Sequence, residues 1–183
     1  MKELTRVGEI HRKTGETEIL VKVEVDGTGS YQIDTPIPFL SHMLTLLSVH
    51  SLCNLKVTAH GDIGVDDHHT VEGIGICLGE SIKMALQDKK SINRYGEATV
   101  PVDESLARLV IDLSGRPYMV YNVKIEREKV GDLASENVQE FFQAVANSSG
   151  MNLHIDLLRG DNGHHIIEAI FKAFARALKV AVA

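Results

Sequence analysis

The stretch DDHHTVE spans residues 66–72, and DNGHHIIE spans 161–168. Both carry two adjacent histidines and then a glutamate in the pattern HHxxE. His68, His69 and Glu72 map onto His164, His165 and Glu168 at an offset of 96. Upstream, Asn54-Leu55 maps onto Asn152-Leu153 at an offset of 98, so two residues are lost in the intervening loop. The same offset of 98 carries His42 onto Glu140. Self-similarity at a fixed spacing signals an internal repeat. It divides the chain into halves of 1–92 and 93–183 that together make one compact functional domain, with SINRYGE as the joint.

Each half follows one plan. Strands come first: ETEILVKVEVDG (16–27) and SYQIDT (30–35), then EATVPV (97–102), SLARLVIDL (105–113) and YMVYNVKI (118–125). Alternating and β-branched residues predict these strands, and DGTG and SGRP supply turns. A helix follows over 37–51 or 136–148, then a strand, CNLKVTAH or MNLHIDLL, then a closing helix over 67–88 or 164–181. Runs of strands followed by helices predict an α+β fold. It has two pseudo-symmetric repeats, each a mainly antiparallel sheet faced by two helices, with the helices packed between the sheets. In the closing helices Val71, Ile74, Leu78 and Ile82, and Ile167, Ile170, Phe174 and Leu178, form apolar stripes. Gly73, Gly75 and Gly79 disfavour a helix, which points to close approach of another backbone.

Of 183 residues, 44% are hydrophobic and 24% charged, as in ordinary globular proteins. The formal net charge is −6 and Lys and Arg are scattered, which argues against nucleic acid as a partner. No apolar run is long enough for a membrane span. The start, MKELTRVGEIHRK, lacks the apolar core of a signal peptide, so a cytoplasmic location is expected. Cys53 and Cys77 form no CxxC motif and read as reduced thiols packed as small apolar groups.

On a helix, residues four apart share a face. His68 and Glu72 can therefore grip one ion, while His69 lies about 100° around and must look elsewhere. The symmetric solution gives one ion His68 and Glu72 plus His165, and the other His164 and Glu168 plus His69. His42 and Glu140 add one further ligand each. Asp66 or Asp67, and Asn162, are the expected N-caps, and a helix N-terminus disfavours cationic histidine. Imidazole and carboxylate without thiolate suit Mn²⁺, Fe²⁺, Co²⁺ or Zn²⁺. A single HHxxE reads equally well as hydrogen-bonded helix histidines; two matched copies favour metal.

HHTVEG and HHIIEA in two repeated halves resemble the imidazoleglycerol-phosphate dehydratases of histidine biosynthesis. So do RKTGET (12–17), DGTG (26–29), FLSHML (39–44), RYG (94–96), SGRP (114–117), EFF (140–142) and HHIIEAIFKAFARAL (164–178). The resemblance runs essentially from end to end. It implies dehydration of D-erythro-imidazoleglycerol phosphate to imidazoleacetol phosphate with two Mn²⁺ per active site. It also implies trimers that assemble into a 24-mer of cubic symmetry, with sites between subunits. The family's ligands fall on His42, His69, His164 and Glu168 for one ion, and on His68, Glu72, His165 and position 140 for the other. The family commonly has histidine where this chain has Glu140. Family chains also run on to a Ser-Thr-Lys segment over the phosphate, whereas this sequence ends at ALKVAVA: that tail is trimmed, or phosphate binding leans on other residues.

Gripping both nitrogens of the substrate ring favours loss of the neighbouring hydroxyl and acidifies the next C–H. A carboxylate must then move a proton, and the resemblance points to Glu16. It points to His50, Arg94, Arg116 and Lys172 as further substrate-binding residues. Read without it, Glu16 is a solvated strand residue, His50 a helix-end residue, and the three cations surface charges. His11 and His60 read as surface residues and His154 as structural. Asp103 and Glu104 read as a turn or as residues behind the ligands. Two rival readings share the metal residues: a dinuclear metallohydrolase of a phosphoester, and a non-catalytic metal-bridged assembly protein. The second expects Arg94, Arg116 and Lys172 to be scattered.

Overall fold

The computed structural model describes residues 6–183. The first half contains β1 (Val7–Lys13), β2 (Thr17–Glu24), β3 (Tyr31–Asp34), α1 (Pro38–Ser51), β4 (Asn54–Gly61) and α2 (His68–Leu86). The second contains β5 (Tyr95–Val102), β6 (Ser105–Asp112), β7 (Tyr118–Asn122), α3 (Glu136–Ser149), β10 (Asn152–Arg159) and α4 (Gly163–Val182). A short ribbon, β8 (Lys129–Val130) and β9 (Leu133–Ala134), precedes α3.

The two sheets have one topology, β1-β2-β4-β3 and β5-β6-β10-β7. In each, three strands run antiparallel and the last, β3 or β7, is parallel to its neighbour. The registers coincide except where β10 shifts against β6 between Leu157 and Arg159. Asn54 pairs with Glu24 as Asn152 pairs with Asp112, and Gly8 pairs with Val23 as Gly96 pairs with Ile111. The fold is thus the expected α+β pair of repeats.

β1 is the element the sequence does not announce. VGEIHRK buries only Gly8, so it lacks the apolar alternation that marks a strand. A glycine is needed there because a Cβ would stand 1.9 Å from the Ser81 carbonyl oxygen of the overlying α2. Gly96 has the same relation to Ala177 of α4. β8 and β9, two residues each, are also unannounced. YMVYNVKI is a strand only as far as Asn122.

β2 and β6 alternate, putting Ile19, Val21 and Val23, and Ala107, Leu109 and Ile111, into the core. α2 covers the first sheet and α4 the second. Each long helix then meets the other half's short helix, α2 against α3 and α1 against α4, so the helices lie between the sheets. A Cβ on Gly75 would stand 2.7 Å from the Phe141 carbonyl oxygen, and one on Gly79 2.7 Å from that of Val145. Gly73 meets the Ile19 side chain instead, so it approaches the sheet rather than a backbone. Phe141, Phe142, Phe171 and Phe174 fill the seam between α3 and α4 with ring centroids 5.0–5.4 Å apart. Cys53 and Cys77 are buried, and His11, His60 and His154 are exposed.

Candidate metal centre

Both HHxxE segments begin helices, for the same local reason. The Asp66 carboxylate accepts from the His68 amide at 2.9 Å, and the Asn162 side chain accepts from the His164 amide at 2.9 Å. These satisfy amides that an N-terminus leaves without partners. Asp67, the other expected cap, accepts instead from the Ala134 amide at 2.8 Å.

The α1–α4 contact gathers His42, His164 and Glu168, whose ligand atoms all lie within 4.8 Å of one another. Glu168 Oε2 is 3.1 Å from His164 Nε2 and 3.8 Å from His42 Nε2. Phe39 packs edge-on against the His164 ring. Lys172 Nζ donates to the other oxygen, Glu168 Oε1, at 2.6 Å. Burial pushes the Glu168 carboxyl up, but the bonds from Lys172 and His164 outweigh it and hold it below the ordinary carboxylate range.

The α2–α3 contact is the repeat of this arrangement. His68 Nδ1 is 3.1 Å from Asn137 Oδ1, and Nε2 is 3.9 Å from Glu72 Oε2. The contacts His68 with Asn137 and Gly75 with Phe141 run in the same direction along both helices, and Glu72 and Glu140 lie between them in sequence. Half-buried Glu140 makes no ion pair among the described residues.

The middle histidines look elsewhere, as the helical spacing requires. The His68 and His69 rings stand 5.9 Å apart at 78°, and those of His164 and His165 6.1 Å apart at 75°. His69 Nδ1 lies 3.0 Å from Asp62 Oδ2, and His165 Nδ1 lies 2.7 Å from Glu104 Oε2. Within one chain neither belongs to the His42–His164–Glu168 group. Asp62 raises the His69 pKa through its hydrogen bond, with Glu16 adding charge, and Glu104 does the same for His165. The His165 bond holds Glu104 itself down to about 2.

Glu16 lies in the turn between β1 and β2. Its amide donates to Thr14 Oγ1 and its carbonyl accepts from the Asp62 amide, while its exposed carboxylate has no hydrogen-bond partner among the described residues. Arg94 forms a two-point pair with Asp112, at 2.7 and 3.2 Å, and stacks over Tyr95. Arg116 is exposed in the SGRP turn. The Arg116 carbonyl accepts from the Asn152 side chain at the start of β10, and Arg94 stands where α4 ends, since its amide donates to the Ala181 carbonyl. Thirteen residues of helix, roughly 20 Å, separate that point from Glu168. Lys172 is bound to Glu168 instead, and His50, in the last turn of α1, is half-buried. Burial and the nearby Lys172 and Arg176 push its pKa down. It lines a cleft of about 520 Å³ with Arg176 and Lys179. Within one chain Lys172 and Arg94 are thus held at different levels of α4, while the His50 cleft opens at Asn93, Val180 and Ala183, beside the Arg94 end. Reading the sequence missed Asp62, Asn137, Arg176 and Lys179, for which nothing in the repeat signals a role.

A family model described as imidazoleglycerol-phosphate dehydratase matches residues 35–178, a span that holds both HHxxE segments, His42 and Glu140. The chain belongs to the imidazoleglycerol-phosphate dehydratase family. The protein of that name from Syntrophomonas wolfei is 71% identical over 97% of this chain and 90% of its own length. That from Geobacter sulfurreducens is 55% identical over 96% and 90%. The crystal structure of imidazoleglycerol-phosphate dehydratase from Staphylococcus aureus matches with a TM-score of 0.88 at 44% identity, covering 97% of this chain and 98% of that one. The enzyme from Pyrococcus furiosus, solved in complex with (S)-C348, matches at 0.83 and 34%, covering 94% and 93%. As a member of this dehydratase family the chain is a hydro-lyase of histidine biosynthesis. No helix among the described residues is long and apolar enough to cross a membrane.

Proposed function

We propose that this chain converts D-erythro-imidazoleglycerol phosphate to imidazoleacetol phosphate in the cytoplasm, using two Mn²⁺ ions per site. The observation that carries the reading is the convergence of His42, His164 and Glu168 at the α1–α4 contact, in a chain of this family. Three nitrogen and oxygen donors without thiolate fit a divalent ion of the Mn²⁺ type. His68, Glu72 and Glu140 form the repeat-related set. His69 completes the first set and His165 the second, each supplied by another copy, because both turn away from the group in their own chain. The two half-repeats, 1–92 and 93–183, work as one unit in trimers that build a 24-mer.

When bound, the ions supply Lewis acidity to the two nitrogens of the substrate's imidazole. The protein does the rest. Glu16, its carboxylate without a hydrogen-bond partner among the described residues, takes the proton from the carbon beside the one that loses hydroxide. Lys172 neutralises the outer oxygen of Glu168, which keeps that carboxylate ionised and fixed in direction. Arg94 and Arg116 grip the phosphate, and His50 and Lys172 line the same pocket. Because Arg94 lies a helix length from Glu168, these arginines serve a site completed by a neighbouring subunit.

That separation is also what the metal-bridged assembly reading expects, and turnover decides between them. Formation of imidazoleacetol phosphate should require Mn²⁺ and stop on chelation. Absence of metal-dependent dehydration by the assembled protein would overturn the enzyme reading.

A further inference from the structure

Two glutamates occupy repeat-related positions but have different surroundings. The sheet registers pair Asn54 with Glu24 and Asn152 with Asp112. Eight residues back along β2 from Glu24 is Glu16, and eight back along β6 from Asp112 is Glu104. Each sits in the turn before its strand, beside the second histidine of its own HHxxE segment. The Glu16 carboxylate has no hydrogen-bond partner among the described residues, while Glu104 has four contacts. Its Oε2 lies 2.7 Å from His165 Nδ1. Its Oε1 accepts from the Asn162 amide at 2.9 Å, the Asp161 amide at 3.4 Å and Ser105 Oγ at 3.0 Å.

An ionised carboxylate only accepts hydrogen bonds. A 2.7 Å contact therefore requires a proton on His165 Nδ1, and in the neutral ring this leaves the Nε2 lone pair facing away from Glu104. The exposed carboxylate of Asp103 lies 3.5 Å from Nε2. His69 reaches the same state by another route, with Asp62 at 3.0 Å from its Nδ1. One half thus spends the turn glutamate on fixing an imidazole. The other assigns that task to an aspartate from the β4–α2 loop and leaves its turn glutamate free.

We propose that Glu104 is a positioning residue that holds His165 in the Nδ1–H tautomer with Nε2 presented to a divalent cation, and that this use removes it as a second base opposite Glu16. The proposal rests on the reading of His165 as a metal ligand. It gives a pseudo-symmetric pair of carboxylates a single proton-transferring member.

Glu104→Gln is a sharp test because it keeps shape. The backbone amides of Asp161 and Asn162 must still meet an acceptor, so the amide oxygen faces them and the NH₂ faces His165 Nδ1. A donor there drives the ring proton to Nε2 and blocks the coordinating lone pair. Imidazole ¹⁵N NMR on the full chain stripped of metal should show the His165 tautomer inverted, and His69 and Glu16→Gln controls unmoved. Mn²⁺ affinity, read by calorimetry or electron paramagnetic resonance on the assembled protein, should fall about 10–100-fold, the usual effect of losing such a partner. Glu104→Ala should scramble the tautomer and weaken binding to a similar degree. An unchanged tautomer in Glu104→Gln would overturn the positioning role. An inverted tautomer with unchanged Mn²⁺ affinity would overturn His165 as a ligand, and both results stand apart from any assay of dehydration.

Discussion

His165 Nδ1 lies 2.7 Å from Glu104 Oε2, whereas the repeat-related His69 turns its Nδ1 to Asp62. Two histidines at matched positions are thus held alike by carboxylates from unmatched positions. The imidazole geometry has been kept across the repeat while the residues behind it have diverged. Glu16 is exposed, and its carboxylate has no hydrogen-bond partner among the described residues.

Glu16→Gln should lower kcat by at least a hundredfold, the lower range for loss of a general acid–base, while both ions stay bound. Steady-state kinetics with metal analysis of the same preparation checks this. Loss of metal alongside activity would assign Glu16 to ligation instead.

His69→Ala and His164→Ala should empty the same ion position, and His68→Ala and His165→Ala the other. Anomalous scattering at the manganese edge on crystals of each variant reads this directly. Depletion of different positions by His69→Ala and His164→Ala would refute the crossed assignment.

Glu104 is held at about 2, chiefly by its bond to His165, against an ordinary value of 4.5. A depressed folded pKa adds stability that is present above the unfolded value and is lost as pH falls through the folded one. The gap in urea midpoint between the parent chain and Glu104→Gln should therefore be full above about pH 4.5 and close as pH approaches about 2. A gap that does not change over this window would mean that ionisation of Glu104 is not linked to folding.

Gly75→Ala should cost about 1–3 kcal/mol, as overpacking does in a filled core. The new methyl would stand 2.7 Å from the Phe141 carbonyl, and backbone cannot move aside as a side-chain tip can. Gly15→Ala is the control, since nothing lies within 4 Å of a Cβ there. Equal thermal midpoints for the two variants would show that α2 and α3 have room to separate.

Chelation should break the assembly toward trimers, because His69 and His165 turn from the group in their own chain and would join ions held by a neighbour. Sedimentation velocity with and without EDTA measures it. An unchanged profile would argue against metal-linked subunits.

The sequence by itself determined the repeat, the α+β order of elements and the divergence of adjacent histidines around a helix. These depend on spacing along the chain: the offset of 96 between the HHxxE copies, period-two burial in β2 and β6, and the roughly 100° step from His68 to His69. β1 escaped because its face is set by a glycine under a helix, which leaves no apolar signature. Only the tertiary structure decided what stands behind each imidazole. Asp62, Asn137 and Glu104 reach their histidines across 7, 69 and 61 residues, and a hydrogen bond depends on distances below about 3.5 Å that no periodicity encodes. It also decided that Arg94 stands at the far end of α4 from Glu168. That separation follows from the antiparallel return of β6 and the length of one helix, neither of which a local motif contains.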